Sequence, residues 1–168
     1  MIDGTFRLTD HHGTPVTGAA FLGRFMLVFF GFTHCKVVCP RALSKLSAVL
    51  DDLGPLADEI APLYVSVDPE RDHPEVMKAF LEASYPRFTG LTGTREQCDA
   101  AKKAFRVFAE KKPDPDDPEG YDMPHTAFAY LLGRDGRYVA HFGDHLDEVQ
   151  LAERLRKQIT TATEVAQP

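Results

Sequence analysis

Cysteine is scarce: three occur in 168 residues, an odd number and too few for a disulfide-stapled scaffold. Long apolar runs are missing as well. The longest, Phe25 to Phe30 followed by Phe32, falls far short of the roughly 18 residues that span a bilayer, so it reads as a buried strand. No run of Lys or Arg is long enough to track a phosphate backbone. With 19 basic residues against 25 acidic ones and a formal charge of -6, the chain is not expected to partner nucleic acid. Met1-Ile2-Asp3-Gly4 lacks the basic start and apolar stretch of a secretory signal, so the chain reads as cytoplasmic or as a soluble piece trimmed of its targeting segment. What remains is ordinary: 43% hydrophobic and 26% charged residues suffice for one continuous core. We expect one domain over residues 1–168, with a frayed tail from Thr160.

The order of elements follows from periodicity and punctuation. A short strand near Phe6-Leu8, a turn at Gly13, and a strand Phe25-Gly31 lead to a helix opening at Pro40. A strand Leu63-Val67 follows, then a helix from Pro74 and another after Thr94, where Thr94 and Gln97 have capping-box spacing. Lys111 to Glu119, with Pro113, Pro115 and Pro118 among acidic residues, reads as a loop. Strands Ala127-Leu132 and Tyr138-Phe142 flank an Asp135-Gly136 hairpin turn, and an amphipathic helix runs from about Leu146 to Ile159. A strand-helix-strand front and a hairpin-helix back predict an α/β, thioredoxin-like fold, its mixed central sheet carrying helices on both faces. Such a sheet explains why Met26-Leu27-Val28-Phe29-Phe30 is continuously apolar.

Two of the three cysteines stand four positions apart in Thr33-His34-Cys35-Lys36-Val37-Val38-Cys39-Pro40, at the turn from a buried strand into a helix. A loop this short removes little chain entropy, so a Cys35–Cys39 disulfide would serve chemistry rather than stability. Residues before proline avoid the helical region, which predicts Cys39 as the N-cap, its thiolate favoured by the helix dipole and by Lys36. The bland alternative is a pair of inert buried thiols. Two thiolates select soft metals, copper(I) or zinc among them, and need a third donor. His125, just before the Thr126-Leu132 strand, is the best candidate, although spacing alone leaves it as ordinary as any core or surface histidine.

Four blocks in order carry a resemblance: Gly31-Phe32-Thr33-His34-Cys35 with Cys39-Pro40, Val65-Ser66-Val67-Asp68-Pro69-Glu70-Arg71-Asp72, Gly90-Leu91-Thr92-Gly93-Thr94, and His125-Thr126 before Tyr130-Leu131. Together they closely resemble the Sco (SenC) family, from about Phe6 to Gly136. The resemblance implies a thioredoxin-like fold and a copper ion bound by two cysteines and a histidine, here Cys35, Cys39 and His125. It implies delivery of copper to a cytochrome c oxidase subunit or to its assembly factors, or maintenance of that enzyme's cysteines in reduced form. It implies a periplasmic or membrane-anchored domain facing away from the cytoplasm, its targeting segment absent from this sequence. Two positions depart from the family pattern. Lys36-Val37 stands where Pro-Asp is usual, and Pro124 stands where Asp usually precedes the histidine.

Met123-Pro124 ahead of a strand resembles the cis-proline facing the dithiol of thioredoxin-like oxidoreductases, which keeps a second reading open: thiol-disulfide exchange by Cys35 and Cys39. A peroxidase of peroxiredoxin type ranks last, since no threonine lies three residues before either cysteine. Cys98 shares an apolar helix face with Ala101, Phe105 and Phe108 and reads as core. Asp72 and Pro74 read as helix-start chemistry, His34 as a neighbour that tunes Cys35, binds copper transiently or points away. His11, His12, His73, His141 and His145 are assigned no chemistry.

Overall fold

The computed structural model describes residues 2–35 and 38–166. The expectation that Lys36 favours the thiolate therefore lies outside the described residues. The central strand is the apolar run: Phe25–Gly31 (β3) is buried at every position. It pairs in parallel with Ile60–Ser66 (β4), from Phe25↔Ile60 to Gly31↔Ser66, and antiparallel with Ala129–Leu132 (β8). The remaining strands of the sheet are Arg7–Asp10 (β1), Pro15–Thr17 (β2), Thr89–Thr92 (β5) and Tyr138–Phe142 (β9), in the order β2-β1-β5-β4-β3-β8-β9. The helices are Val38–Leu53 (α1), Pro74–Ser84 (α2), Arg95–Phe105 (α3) and Glu148–Ala166 (α4).

Alternation along β3 shows why it has no polar side. Phe30 packs against Phe105 of α3, ring centroids 5.2 Å apart. Phe29 points the other way, stacking on Tyr64 at 6.4 Å and sharing a gap with Ala42 and Leu46 of α1 and Leu151 of α4. Both faces are covered by helices, which is the thioredoxin-like arrangement the element order predicts. Burying one such aromatic side chain is worth up to about 3 kcal/mol. Among the described residues no helix is long and apolar enough to cross a membrane.

Several boundaries follow their local chemistry. Pro74 opens α2, with extended His73 as its N-cap. Thr94 and Gln97 exchange hydrogen bonds at 3.1 and 3.0 Å, closing the capping box of α3. At the other end of α3, Arg106 turns left-handed (φ 57°), and the chain leaves the helix before Phe108. Phe108 is 62% exposed, so the expected apolar face ends at Phe105. The α4 helix continues past Ile159 to Ala166 rather than fraying at Thr160. Nothing in Thr160 to Ala166 is Gly or Pro, and Ala162 packs against the core.

The segment read as a loop, Lys111 to Glu119, forms most of a hairpin of Lys112–Asp114 (β6) and Asp117–Asp122 (β7). Prolines are tolerated there because the ribbon is two-stranded and every strand is an edge. Asp114 and Asp117 close its turn by accepting the backbone N–H groups of Asp116 and Glu119. Tyr121 ties the hairpin to the loop after β4: its hydroxyl donates to Asp68 Oδ1 at 2.6 Å, and the Arg71 guanidinium lies 3.7 Å above its ring. Arg71 Nε donates in turn to Asp68 Oδ2.

A second tether holds the loop after β3. Asp72, expected at the start of α2, is fully buried and reaches back across the sheet end instead. Its carboxylate accepts from Thr33 Oγ1 (2.5 Å), from the Thr33 N–H (3.2 Å) and from Ser66 Oγ (2.7 Å). Burial is the largest influence on Asp72 and raises its pKa, against the lowering by these donors. The folded protein therefore holds this proton more tightly than the unfolded chain. From the ordinary aspartate value of about 3.9 upward to its own raised value, its contribution to stability falls as pH rises.

Two outcomes are expected from urea denaturation. Asp72→Asn should cost about 1–3 kcal/mol near neutral pH, because an amide cannot accept from all three donors, and it should remove this group's acid-side pH dependence. Gly31→Ala should destabilise by about 1–3 kcal/mol, because there is no room for the added carbon. A methyl there would stand 2.5 Å from Tyr64 Oη and 2.8 Å from Cys39 Sγ.

Candidate metal centre

The β3 strand ends at Gly31, and the loop Phe32 to Cys35 is pinned at its start. Tyr64 Oη donates to the Phe32 carbonyl at 3.0 Å, and the Cys35 N–H donates to the same oxygen at 3.3 Å. Cys35 is half-buried, and its sulfur accepts the Cys39 N–H at 3.3 Å. That bond corrects the expected start of the helix. Cys39 is the second residue of α1 and not its N-cap, because the Cys35 sulfur takes one of the unpaired donors of the first turn. Pro40 lies within that turn, where its missing N–H costs nothing.

The expectation that the Cys39 thiolate is favoured is overturned as well. Cys39 is 0% exposed, packed where Gly31 leaves room. A hydrogen bond to Cys35, burial and the nearby charge of Cys35, in that order, push the Cys39 thiol well up from its usual range. Cys39 is thus held as a neutral thiol. Tyr64, buried beside them, is pushed well up as well, first by burial and then by Cys39, and stays a neutral donor. All three cysteines are free thiols.

His125 arrives from the far side of the sequence, and the structure brings it to the pair. Its segment runs antiparallel to residues 108–110: Thr126 N–H donates to the Phe108 carbonyl (2.9 Å) and Glu110 N–H to the Pro124 carbonyl (3.0 Å). The imidazole stands edge-on to Phe29 and Phe32, 6.4 and 5.8 Å between centroids. Its Nδ1–H donates to the Thr126 carbonyl at 2.8 Å, which leaves the Nε2 lone pair facing Cys39 Sγ at 3.5 Å. A ring aimed in this way is what a metal-binding histidine needs. Pro124 supplies no side-chain acceptor, and the backbone of Thr126 does that work. The Met123–Pro124 bond is trans, since no cis peptide occurs among the described residues. The expected likeness to an oxidoreductase cis-proline is therefore wrong: Pro124 sits in a paired, extended segment.

Cys35 and His125 border a cleft of about 480 Å³ whose walls also include Phe32, Tyr121 and Met123, while Cys39 lies buried behind them. Asp114 and Asp116 of the hairpin reach its rim, as does exposed His34, whose Nδ1 is 3.2 Å from Thr33 Oγ1. Two thiols and one imidazole with a free lone pair suit a soft ion such as copper(I). Cys98 is not part of this centre. It is buried on α3, across the sheet from α1, its thiol pushed up to about 12 by burial, as its core reading requires.

One cluster escapes the sequence. His11, His12 and Glu82 bring potential ligand atoms within 4.8 Å of one another at the turn after β1. Residues 11 and 82 are too far apart in the chain for spacing to reveal this. However, His11 Nδ1 accepts the Gly90 N–H at 2.9 Å, so in the neutral ring the proton sits on Nε2 and no lone pair is left for a metal.

The SCO1/SenC family profile matches residues 1–160. The human "Protein SCO1 homolog, mitochondrial" is 38% identical over 154 residues, covering 90% of this chain and 51% of the human protein. The chain thus spans about half the length of the mitochondrial relatives it matches. Arabidopsis thaliana ScoI, solved with copper bound, superposes with a TM-score of 0.90 at 30% identity, covering 96% of this chain and 99% of that one. Bradyrhizobium japonicum ScoI with copper bound gives a TM-score of 0.84 at 40% identity, covering 94% and 99%. Matched along nearly its whole length and folded like these relatives, the chain belongs to the SCO1/SenC family.

Proposed function

We propose that this chain binds copper(I) through Cys35, Cys39 and His125 and passes it on as an assembly factor for the copper centre of cytochrome c oxidase. The observation that carries the reading is the lone pair of His125 Nε2 aimed at Cys39 Sγ, 3.5 Å away, beside the sulfur of Cys35. Copper-loaded relatives of the same fold support it. Two thiolates and an imidazole complete a three-coordinate shell for a monovalent ion, and the surrounding aromatic rings keep water from it. Thiolate ligands must shed their protons to bind the ion, so affinity rises with pH. Release runs by ligand exchange through Cys35, the sulfur that borders the cleft. The recipient is a copper-accepting oxidase subunit or one of its assembly factors, and the domain works membrane-anchored, facing away from the cytoplasm.

One observation favours a second reading. A half-exposed Cys35 in front of a buried Cys39 is the order of attacking and resolving thiols in disulfide exchange.

Anaerobic competition titration tests the metal site. The parent should bind one equivalent of copper(I), and Cys35→Ser, Cys39→Ser and His125→Ala should each weaken binding by about tenfold or more. Equal affinity of the His125 variant and the parent would remove that ligand. Disulfide-reducing turnover that survives His125→Ala but not Cys35→Ser would move the assignment to exchange. Limited alkylation followed by peptide mass spectrometry should label Cys35 first and Cys39 only after unfolding, with Cys98 equally protected. Early labelling of Cys39 would contradict its burial behind Cys35.

A further inference from the structure

Met123 lies two residues before His125 on the segment that pairs with residues 108–110. Residues two apart on an extended chain project to the same side. The His125 ring faces the cysteine pair, and Met123, at the matching position two residues earlier, is 8% exposed and lines the cleft with Cys35 and His125. Its placement is fixed on both sides. The Met123 N–H donates to Asp122 Oδ1 at 2.9 Å, and the next residue is a proline whose carbonyl accepts from Glu110. Met26 and Met77 are locked in the core at 1% and 0% exposure, so among the described residues Met123 is the methionine that borders the cleft.

We propose that the Met123 thioether is a fourth, weakly held donor to copper(I) carried by Cys35, Cys39 and His125, bound from the cleft side. This rests on the copper reading above and deepens it. A thioether is soft and neutral, so it adds to two thiolates and an imidazole without releasing a proton or changing the oxidation state of the ion. Pro124 offers no side-chain donor next to the histidine. The donor set at the mouth of the site is therefore sulfur-rich, which favours the cuprous ion over the cupric. A neutral fourth ligand also holds the ion while one thiolate is exchanged for a donor of the recipient, and so slows loss of copper to solvent.

The test uses the whole chain grown with selenomethionine and loaded anaerobically with one equivalent of copper(I). Selenium-edge X-ray absorption should show a selenium–copper vector in the parent and none in Met123→Leu. Leucine keeps the volume of methionine and removes the donor, and the melting temperature of the copper-free variant should match the parent's. Transfer of copper(I) to a chelator should be at least about threefold faster from Met123→Leu, as befits a weak extra ligand. Absence of the selenium–copper vector in a loaded parent overturns the proposal, as does an unchanged transfer rate in the variant. If the parent holds no copper(I), the copper reading fails with it. A parent that binds copper through Cys35, Cys39 and His125 without that vector leaves the copper reading standing and removes Met123 alone.

Discussion

The space left by a missing Cβ at position 31 governs the geometry of the site. Into it go the Cys39 sulfur and the edge of the Tyr64 ring, both arriving from the α1 face of the sheet. Because Gly31 ends a strand held in register on both sides, β4 in parallel and β8 antiparallel, the position of that sulfur is referenced to the fully buried central strand of the sheet. Tyr64 adds a hydrogen bond to the Phe32 carbonyl, so one aromatic side chain both packs on the sulfur and fixes the loop that carries Cys35. Tight interior packing transmits such constraints because neighbours have no slack to absorb a shift.

The segment from Ser66 to Asp72 contains no proposed ligand, yet it holds the two halves of the centre at their distance. Asp72 grips Thr33, two residues before Cys35, and Asp68 with Arg71 grips Tyr121, four residues before His125. The Asp68–Arg71 pair is largely out of solvent, with side-chain exposures of 3% and 19%. Removing one member of a pair like this leaves the other charge uncompensated, which is far more costly than losing a surface ion pair. A resemblance block that reads as helix-start chemistry is thus a double clamp.

The sequence made legible what depends on near neighbours. The run Phe25 to Gly31, Pro74 at the start of α2 and the Thr94–Gln97 capping box stand where pattern and local chemistry put them. The Cys35/Cys39 pair was visible from spacing, whereas His125 joined it only through family resemblance, since 86 residues separate it from Cys39. What was not legible depends on distant partners. The Cys39 thiolate is disfavoured rather than favoured because the hydrogen bond to Cys35, and then burial, push its thiol up. The β6–β7 hairpin hid behind its prolines, which signal a break but are permitted at edges. Asp72 looked like a helix start because nothing near it in sequence points to Thr33.

The group that aims His125 belongs to the main chain. Every amino acid at position 126 carries the same carbonyl, so the tautomer of the imidazole does not depend on which side chains flank it. That frees position 124 to hold a proline, and it means the ring is pointed by the fold itself. Little rotational freedom is left in it to lose on binding a ligand. The orientation of this donor is thereby written into the path of the backbone, where substitutions that preserve the path leave it untouched.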